Sequence, residues 1–228
     1  MGIGNIAVLA QVTALLLALI FSFFIFIPLS VNIHQFEGRC LLYATGKWVT
    51  NSTSPQFNLD VEWGLQGYCG FSIFMGVMSM LTALGYMILM SFYLIQGNDL
   101  PWLSAFIKMV VTFVLTAMML ISGSTLSTGF NQWCSVITQA PQTYSCEEAD
   151  TIPLHVGENI DTGDFFVEFG MAQFGSWSSW LCWLVLFIFS LARIIKFNKQ
   201  EDFLKSMSRE RQRLLSSVTQ NSGEYSGI

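Results

Sequence analysis

Residues 172–199, AQFGSWSSWLCWLVLFIFSLARIIKFNK, decide the architecture of this 228-residue chain. The stretch opens with polar and aromatic residues. It carries no charge from Gly175 to Leu191 and ends in Arg193, Lys196 and Lys199. Such a run is a membrane-spanning helix followed by a cytoplasmic charge step, because Lys and Arg concentrate on the cytosolic side of membranes. Trp177, Trp180 and Trp183 fall toward the other end of the run, where amphipathic rings favour the headgroup level. The rest of the chain takes its orientation from this step.

Working outward, 53% of the chain is hydrophobic and 11% is charged, against about 25% charged in an ordinary soluble domain. The shortfall lies in four apolar runs, which makes this an all-α polytopic membrane protein. The expected spans cover residues 6–29, 68–95, 102–126 and 173–195, packed as an antiparallel four-helix bundle, with outer loops at 30–67 and 127–172. Seven of the ten Lys and Arg follow the fourth run: Arg193, Lys196, Lys199, Lys205, Arg209, Arg211 and Arg213. Residues 127–171 hold no Lys or Arg but carry Glu147, Glu148, Asp150, Glu158, Asp161, Asp164 and Glu168. The positive side stays in the cytosol, so the tail is cytoplasmic and the acidic loop is extracellular or luminal. Four spans then place the N-terminus in the cytosol too. The first run has no charged n-region and no small-residue cleavage site, so it reads as a retained helix and not as a signal peptide. Ile6 stands where a myristoylation motif needs Ser or Thr.

Within the first span, Ala14, Ala18 and Ser22 line one face at four-residue spacing, and Ser72, Gly76, Ser79 and Ala83 do the same in the second. Lipid offers helices little hydrophobic gain from pairing, so small residues serve close approach inside the bundle. Pro28 is expected to mark the outer end of the first span. In the first outer loop, β-prone runs at 40–43 and 47–50 flank Ala44-Thr45-Gly46, which suggests a small β-hairpin turning at that Gly. Asn51-Ser52-Thr53 is an N-glycosylation acceptor on the outer side. The short connection 96–101, with Gly97, Asn98 and Pro101, makes the second and third helices antiparallel neighbours. Lys108 lies about two turns inside the third helix, from where its side chain can snorkel to the interface. Residues 194–215 keep a helical pattern, with Phe197, Leu204, Met207 and Leu214 near one side and basic residues around them, as in a helix held against anionic lipid. The expected tail domain is 198–228, helical to about 215 and disordered beyond, after a four-span domain at 1–197.

Of five cysteines, Cys40, Cys69, Cys134 and Cys146 fall on the outer, oxidising side, and Cys182 falls in the fourth span. Four cysteines allow three pairings. Cys40–Cys69 and Cys134–Cys146 are favoured because each closes a local segment; bonds between the loops stay open. No C-x-x-C spacing supports zinc, and the acidic loop lacks the spacing of a calcium-binding loop.

The segments Ile27-Pro28-Leu29-Ser30, Gly38-Arg39-Cys40-Leu41-Leu42, Glu62-Trp63-Gly64, Trp133-Cys134, Ser145-Cys146-Glu147-Glu148, Ala172-Gln173-Phe174-Gly175, Ser179-Trp180-Leu181 and Gln200-Glu201-Asp202 resemble the transmembrane protein 179 family. The resemblance runs through nearly the whole chain to about residue 215. It implies a four-span membrane protein, prominent in nervous tissue, without an established enzymatic activity. Glu62-Trp63-Gly64-Leu65 ahead of Cys69 is similar to the claudin loop signature, but the spacing departs from it, so the expectation is of a distant analogy only. The Cys-Cys-Gly motif of tetraspanins is absent.

Function follows from what the four spans carry. Small-residue faces, two stapled loops and a basic tail helix suit an accessory or scaffold subunit, or a trafficking factor, that associates laterally with another membrane protein in the bilayer. Glu210, Leu214 and Leu215 have the form of an acidic dileucine signal for clathrin adaptors. Tyr225-Ser226-Gly227-Ile228 fits a tyrosine-based signal or a C-terminal PDZ ligand. The expected membranes are the plasma membrane or those of endosomal and secretory vesicles. A small channel or transporter is the alternative, with Lys108 in a polar path beside Gln11 and Gln173. His34 and His155 stand outside any ligand-like cluster, and no catalytic triad or phosphate loop is present. No enzyme activity, cofactor, metal site or nucleic-acid partner is expected.

Overall fold

The computed structural model describes residues 3–50, 57–96, 102–139, 145–147 and 163–224. In chain order these form α1 (Ile3–Gln35), β1 (Cys40–Thr50), β2 (Phe57–Gly64), α2 (Gln66–Gln96), α3 (Trp102–Ile137) and α4 (Phe165–Glu224). All four helices are long and apolar enough to cross a membrane. The protein is a four-span bundle capped at one end by a two-stranded antiparallel sheet.

The helices are longer than the apolar runs that announce them. α3 has 36 residues, roughly 54 Å at about 1.5 Å per residue, where a hydrocarbon core needs about 30 Å. Its last turns carry Trp133 and Cys134, which the sequence placed in a loop. α1 likewise passes through Pro28 and ends six residues later than expected. It stops where Glu37 takes a left-handed φ of 51°. The Gly38 N–H then donates to the Ile33 carbonyl at 2.7 Å and the Glu37 N–H to that of His34 at 3.2 Å. That pattern is a Schellman cap, which satisfies the last carbonyls without a solvating loop.

The sheet corrects the expected hairpin. Ala44, Thr45 and Gly46 do not form its turn; they lie inside β1, which pairs along its length with β2. The register runs from Thr50↔Phe57 to Thr45↔Glu62, then slips before Cys40↔Gly64. Gly46 is needed for close approach. A Cβ there would lie 3.0 Å from the Asp60 carbonyl oxygen and 3.3 Å from Val136 Cγ1 on α3. Gly64 is more restricted, because its Cβ would fall 1.8 Å from the Leu42 carbonyl oxygen. The bulge in β1 bends the strand across this glycine, as bulges do at sheet edges.

Helix α4 packs along both α1 and α3, and α1 packs along α2, whereas α2 and α3 meet far more sparsely. The small residues Ala14, Ala18, Ser22, Ser72, Ser79 and Ala83 are buried at these contacts. Trp183 is fully buried in the bundle, with its ring among the other helices. Its indole N–H donates to Ser79 Oγ at 2.8 Å. The Ser22 and Ser79 hydroxyls are 2.9 Å apart, and Ser179 Oγ lies 3.4 Å from Ser79. A buried indole needs an acceptor, and the small-residue stripe of α2 supplies it.

No break separates the fourth span from the tail: α4 is one helix of 60 residues. It runs to Glu224, where disorder was expected after about residue 215. The tail holds no Pro and no Gly before Gly223, and extending an existing helix is much easier than nucleating one. Phe203, Leu204 and Met207 on this extension are exposed.

Candidate functional site

Chemistry-bearing side chains gather at the two ends of the bundle. At the sheet end, Cys40 is bonded to Cys69 and Cys134 to Cys146. The first bond ties the start of β1 to the first turns of α2. The second ties the far end of α3 to the segment that follows it. Among the three possible pairings, the one with local closure is present.

The sheet is also held by aromatic packing. Trp63 of β2 stacks on Trp133 of α3 with ring centroids 6.4 Å apart, and Phe36 meets Trp63 edge-on at 6.1 Å. The Arg39 guanidinium lies 5.3 Å from the Trp63 ring centroid. The Trp48 indole N–H donates to the Val136 carbonyl at 3.0 Å, and Tyr43 and Thr128 share a short hydroxyl contact. The sheet is thus fixed to α2 covalently and to α3 by rings and hydrogen bonds. Its exposed face presents Thr45, Lys47, Asp60 and Glu62, with Leu65 72% exposed at its foot.

Below the sheet, the Asn32 amide of α1 donates to Glu168 Oε2 of α4 at 3.0 Å, and both side chains are buried. Sequence reasoning counted Glu168 as part of a solvated acidic face. The misleading signal was its neighbours in the chain; the pairing shows only because α1 continues past the expected span end and buries Asn32, which then needs a partner.

At the opposite end, the Lys108 ammonium donates to Gln11 Oε1 at 3.1 Å and lies 5.6 Å from the Tyr86 ring centroid. Arg193 faces the same space from α4. Gln11 and Lys108 were both marked in the sequence; their direct contact was not, and Arg193 was read only as part of the charge step.

Of the tail signals, Glu210 is bridged to Arg213 at 3.5 Å on the exposed helix surface. Leu214 and Leu215 lie in the helical backbone of α4, and their side chains fall outside the described residues. So do Tyr225 and Ile228, and so do Asn51 and His155. Nearer the span, a hydrogen bond from Lys205 at 2.7 Å holds the Glu201 carboxyl below its usual pKa. Both groups are fully solvated, so the pair adds little to stability. His34 is exposed in the last turn of α1. Among the described residues, no three His, Cys, Asp or Glu side chains lie close enough to hold a metal ion. The one free cysteine among them, Cys182, is buried.

Comparison with known families places the chain. The family model for the transmembrane protein 179/179B claudin domain matches residues 7–215. The chain belongs to that family. The likeness of Glu62-Trp63-Gly64-Leu65 to the claudin signature is therefore more than the distant analogy expected of it. The spacing differs, but the fold is claudin-like, and Gly64 is held in this claudin domain by the Leu42 backbone pressed against it. No solved structure matches the chain at a significant level.

Proposed function

We propose that this claudin-like protein is a non-enzymatic accessory or scaffold subunit, or a trafficking factor, that works by lateral association with another membrane protein. The observation that carries this reading is the braced sheet. Two disulfides and the Trp63–Trp133 stack hold a small, rigid, mixed polar and apolar surface above the bundle. A preorganised surface binds without a large ordering cost. The bundle interior supports the same reading. Leu15, Ile25, Leu29, Met119, Leu126 and Trp183 are buried in it, and the hydroxyls of Ser22, Ser79 and Ser179 cluster around the Trp183 indole N–H.

In this reading both termini are cytoplasmic and the sheet is extracellular or luminal, at the plasma membrane or in endosomal and secretory vesicle membranes. Protease added to intact cells then leaves the tail whole. The dileucine Leu214-Leu215 acts as an adaptor signal, so Leu214→Ala with Leu215→Ala moves the protein toward the cell surface. An unchanged distribution removes the sorting role.

The association itself is tested by purification from native membranes in mild detergent after brief cross-linking. A stoichiometric membrane-protein partner is expected, lost with Leu65→Asp and retained with Lys199→Gln. Recovery of the wild-type chain alone overturns the reading. The alternative is a small channel or transporter with Lys108 in its path, for which the Lys108–Gln11 contact is the supporting observation. Flux through reconstituted liposomes that vanishes in Lys108→Ala would establish it.

A further inference from the structure

The end of the bundle away from the sheet holds two cations with no ion-pair partner among the described residues. Lys108 of α3 and Arg193 of α4 line a common cavity of about 40 Å³, together with Tyr86, Leu89, Met90 and Tyr93 of α2 and Ser104 of α3. A second recess of about 10 Å³ lies on the other side of the same two cations, toward Gln11 and Ser190. Neither Lys108 nor Arg193 belongs to an ion pair among the described residues. Lys108 uses one of its three donors on Gln11. The Arg193 guanidinium makes no hydrogen bond among them and rests 5.8 Å from the Phe197 ring centroid.

Two like charges sharing one cavity at a membrane interface repel each other, and the apolar surroundings strengthen that repulsion. Cation–π contacts with Tyr86 and Phe197 relieve only part of it. An anion between them relieves it fully. The cavity is lined by α2, α3 and α4, and α2 and α3 make few contacts with each other. Leu89, on its rim, is half exposed and continues the apolar surface of the bundle.

We infer that this cavity is a binding site for the phosphate of an anionic lipid headgroup. The phosphate oxygens enter between Lys108 and Arg193, with the hydroxyls of Tyr93 and Ser104 as further donors, and an acyl chain lies along Leu89 and Met90. The volume of about 40 Å³ accommodates about three or four waters at roughly 10–15 Å³ each. It therefore admits phosphate oxygens at its mouth and leaves the rest of the headgroup outside. Arg supplies a planar fork and Lys a point charge, a pairing suited to phosphate. The inference rests on the proposed orientation, in which this end meets the anionic cytoplasmic leaflet. That orientation is checked separately by the protease experiment, so the two can fail independently.

The test uses the full-length protein in neutral detergent micelles, titrated with a short-chain phosphatidylinositol phosphate and read by native mass spectrometry. Wild type is expected to retain one lipid. Lys108→Gln and Arg193→Gln should each weaken retention about tenfold or more, the scale of one lost charge-assisted hydrogen bond. Lys199→Gln on the exposed tail should leave it unchanged, and Lys108→Arg should restore most of it. Thermal unfolding of each variant by tryptophan fluorescence confirms that the bundle is intact. Inorganic phosphate is the second probe. If it competes at equal concentration, the site takes a soluble phosphate and the lipid assignment is overturned. If Lys199→Gln weakens retention as much as Arg193→Gln, the attraction is a diffuse property of the basic tail and the site is overturned as well.

Discussion

The two ends of this bundle solve opposite problems. At the sheet end, two disulfides, a stack of Trp63 on Trp133 and the buried Asn32–Glu168 hydrogen bond lock β1, β2 and all four helices to one another. At the other end, α2 and α3 meet sparsely, and Lys108 and Arg193 share a cavity. The first end is covalently closed, although the Trp133 indole N–H and the Gln35 side-chain oxygen are buried there without a hydrogen-bond partner among the described residues. The second has no covalent link among the described residues, and Lys108 and Arg193 keep hydrogen-bond donors unused among them. In the proposed reading, the closed end presents a fixed surface and the open end takes up lipid.

The comparison can be broken most severely at Gly64. Gly64→Ala puts a methyl where the Leu42 carbonyl oxygen already sits, 1.8 Å from the ideal Cβ. The sheet cannot form in its observed register, so the variant should be retained by quality control and fail to give a sharp melting transition. Gly67→Ala, with no atom within 4 Å of its added Cβ, should behave as wild type apart from a small gain in helix propensity. Equal behaviour of the two variants would show that the contact with Leu42 does not matter.

Next in size are the disulfides. Replacing Cys40 and Cys69 by Ser opens a connection separated by 29 residues, and loop-closure entropy puts the loss at about 3–4 kcal/mol. Replacing Cys134 and Cys146 opens one separated by 12, at about 3 kcal/mol. Thermal unfolding in detergent should rank the first double variant below the second. The reverse order would place more of the end's stability in the segment after α3 than in the sheet.

A smaller effect belongs to the buried polar pairs. Asn32→Leu removes a donor from the Glu168 carboxyl, at about 1–3 kcal/mol. Ser79→Ala strips the Trp183 indole of its acceptor, at roughly 0.6–1.7 kcal/mol in a membrane setting. Both should lower the melting temperature. Only Ser79→Ala should also shift the tryptophan emission, since Trp183 is its direct partner. If Asn32→Leu proves neutral, Glu168 keeps sufficient company without it, and the sheet end is less dependent on that bond than its burial implies.

How much of this was legible in the chain differs between the same two ends. Apolar runs and a step of Lys and Arg suffice to count the spans, because a bilayer imposes its thickness on any helix that crosses it. Local closure sufficed to favour Cys40–Cys69 and Cys134–Cys146. The helix ends were not legible, because apolar content tracks the lipid and not the helix. α3 continues through Trp133 and Cys134 on packing and backbone hydrogen bonding alone. The strand turn was misplaced for a related reason: Gly46 carries the composition of a turn but serves a close approach to Asp60 and Val136.

By itself, then, the sequence determined that the chain crosses a membrane four times and that its cysteines can staple one side. Those properties depend on composition and short spacing. Only the tertiary structure decided that Asn32 meets Glu168, that Trp183 donates to Ser79, and that Lys108 and Arg193 face one cavity. Each of these joins residues separated by more than 80 positions. Which distant polar groups pair is set by how the helices cross and where small residues let them approach, and no local pattern encodes that.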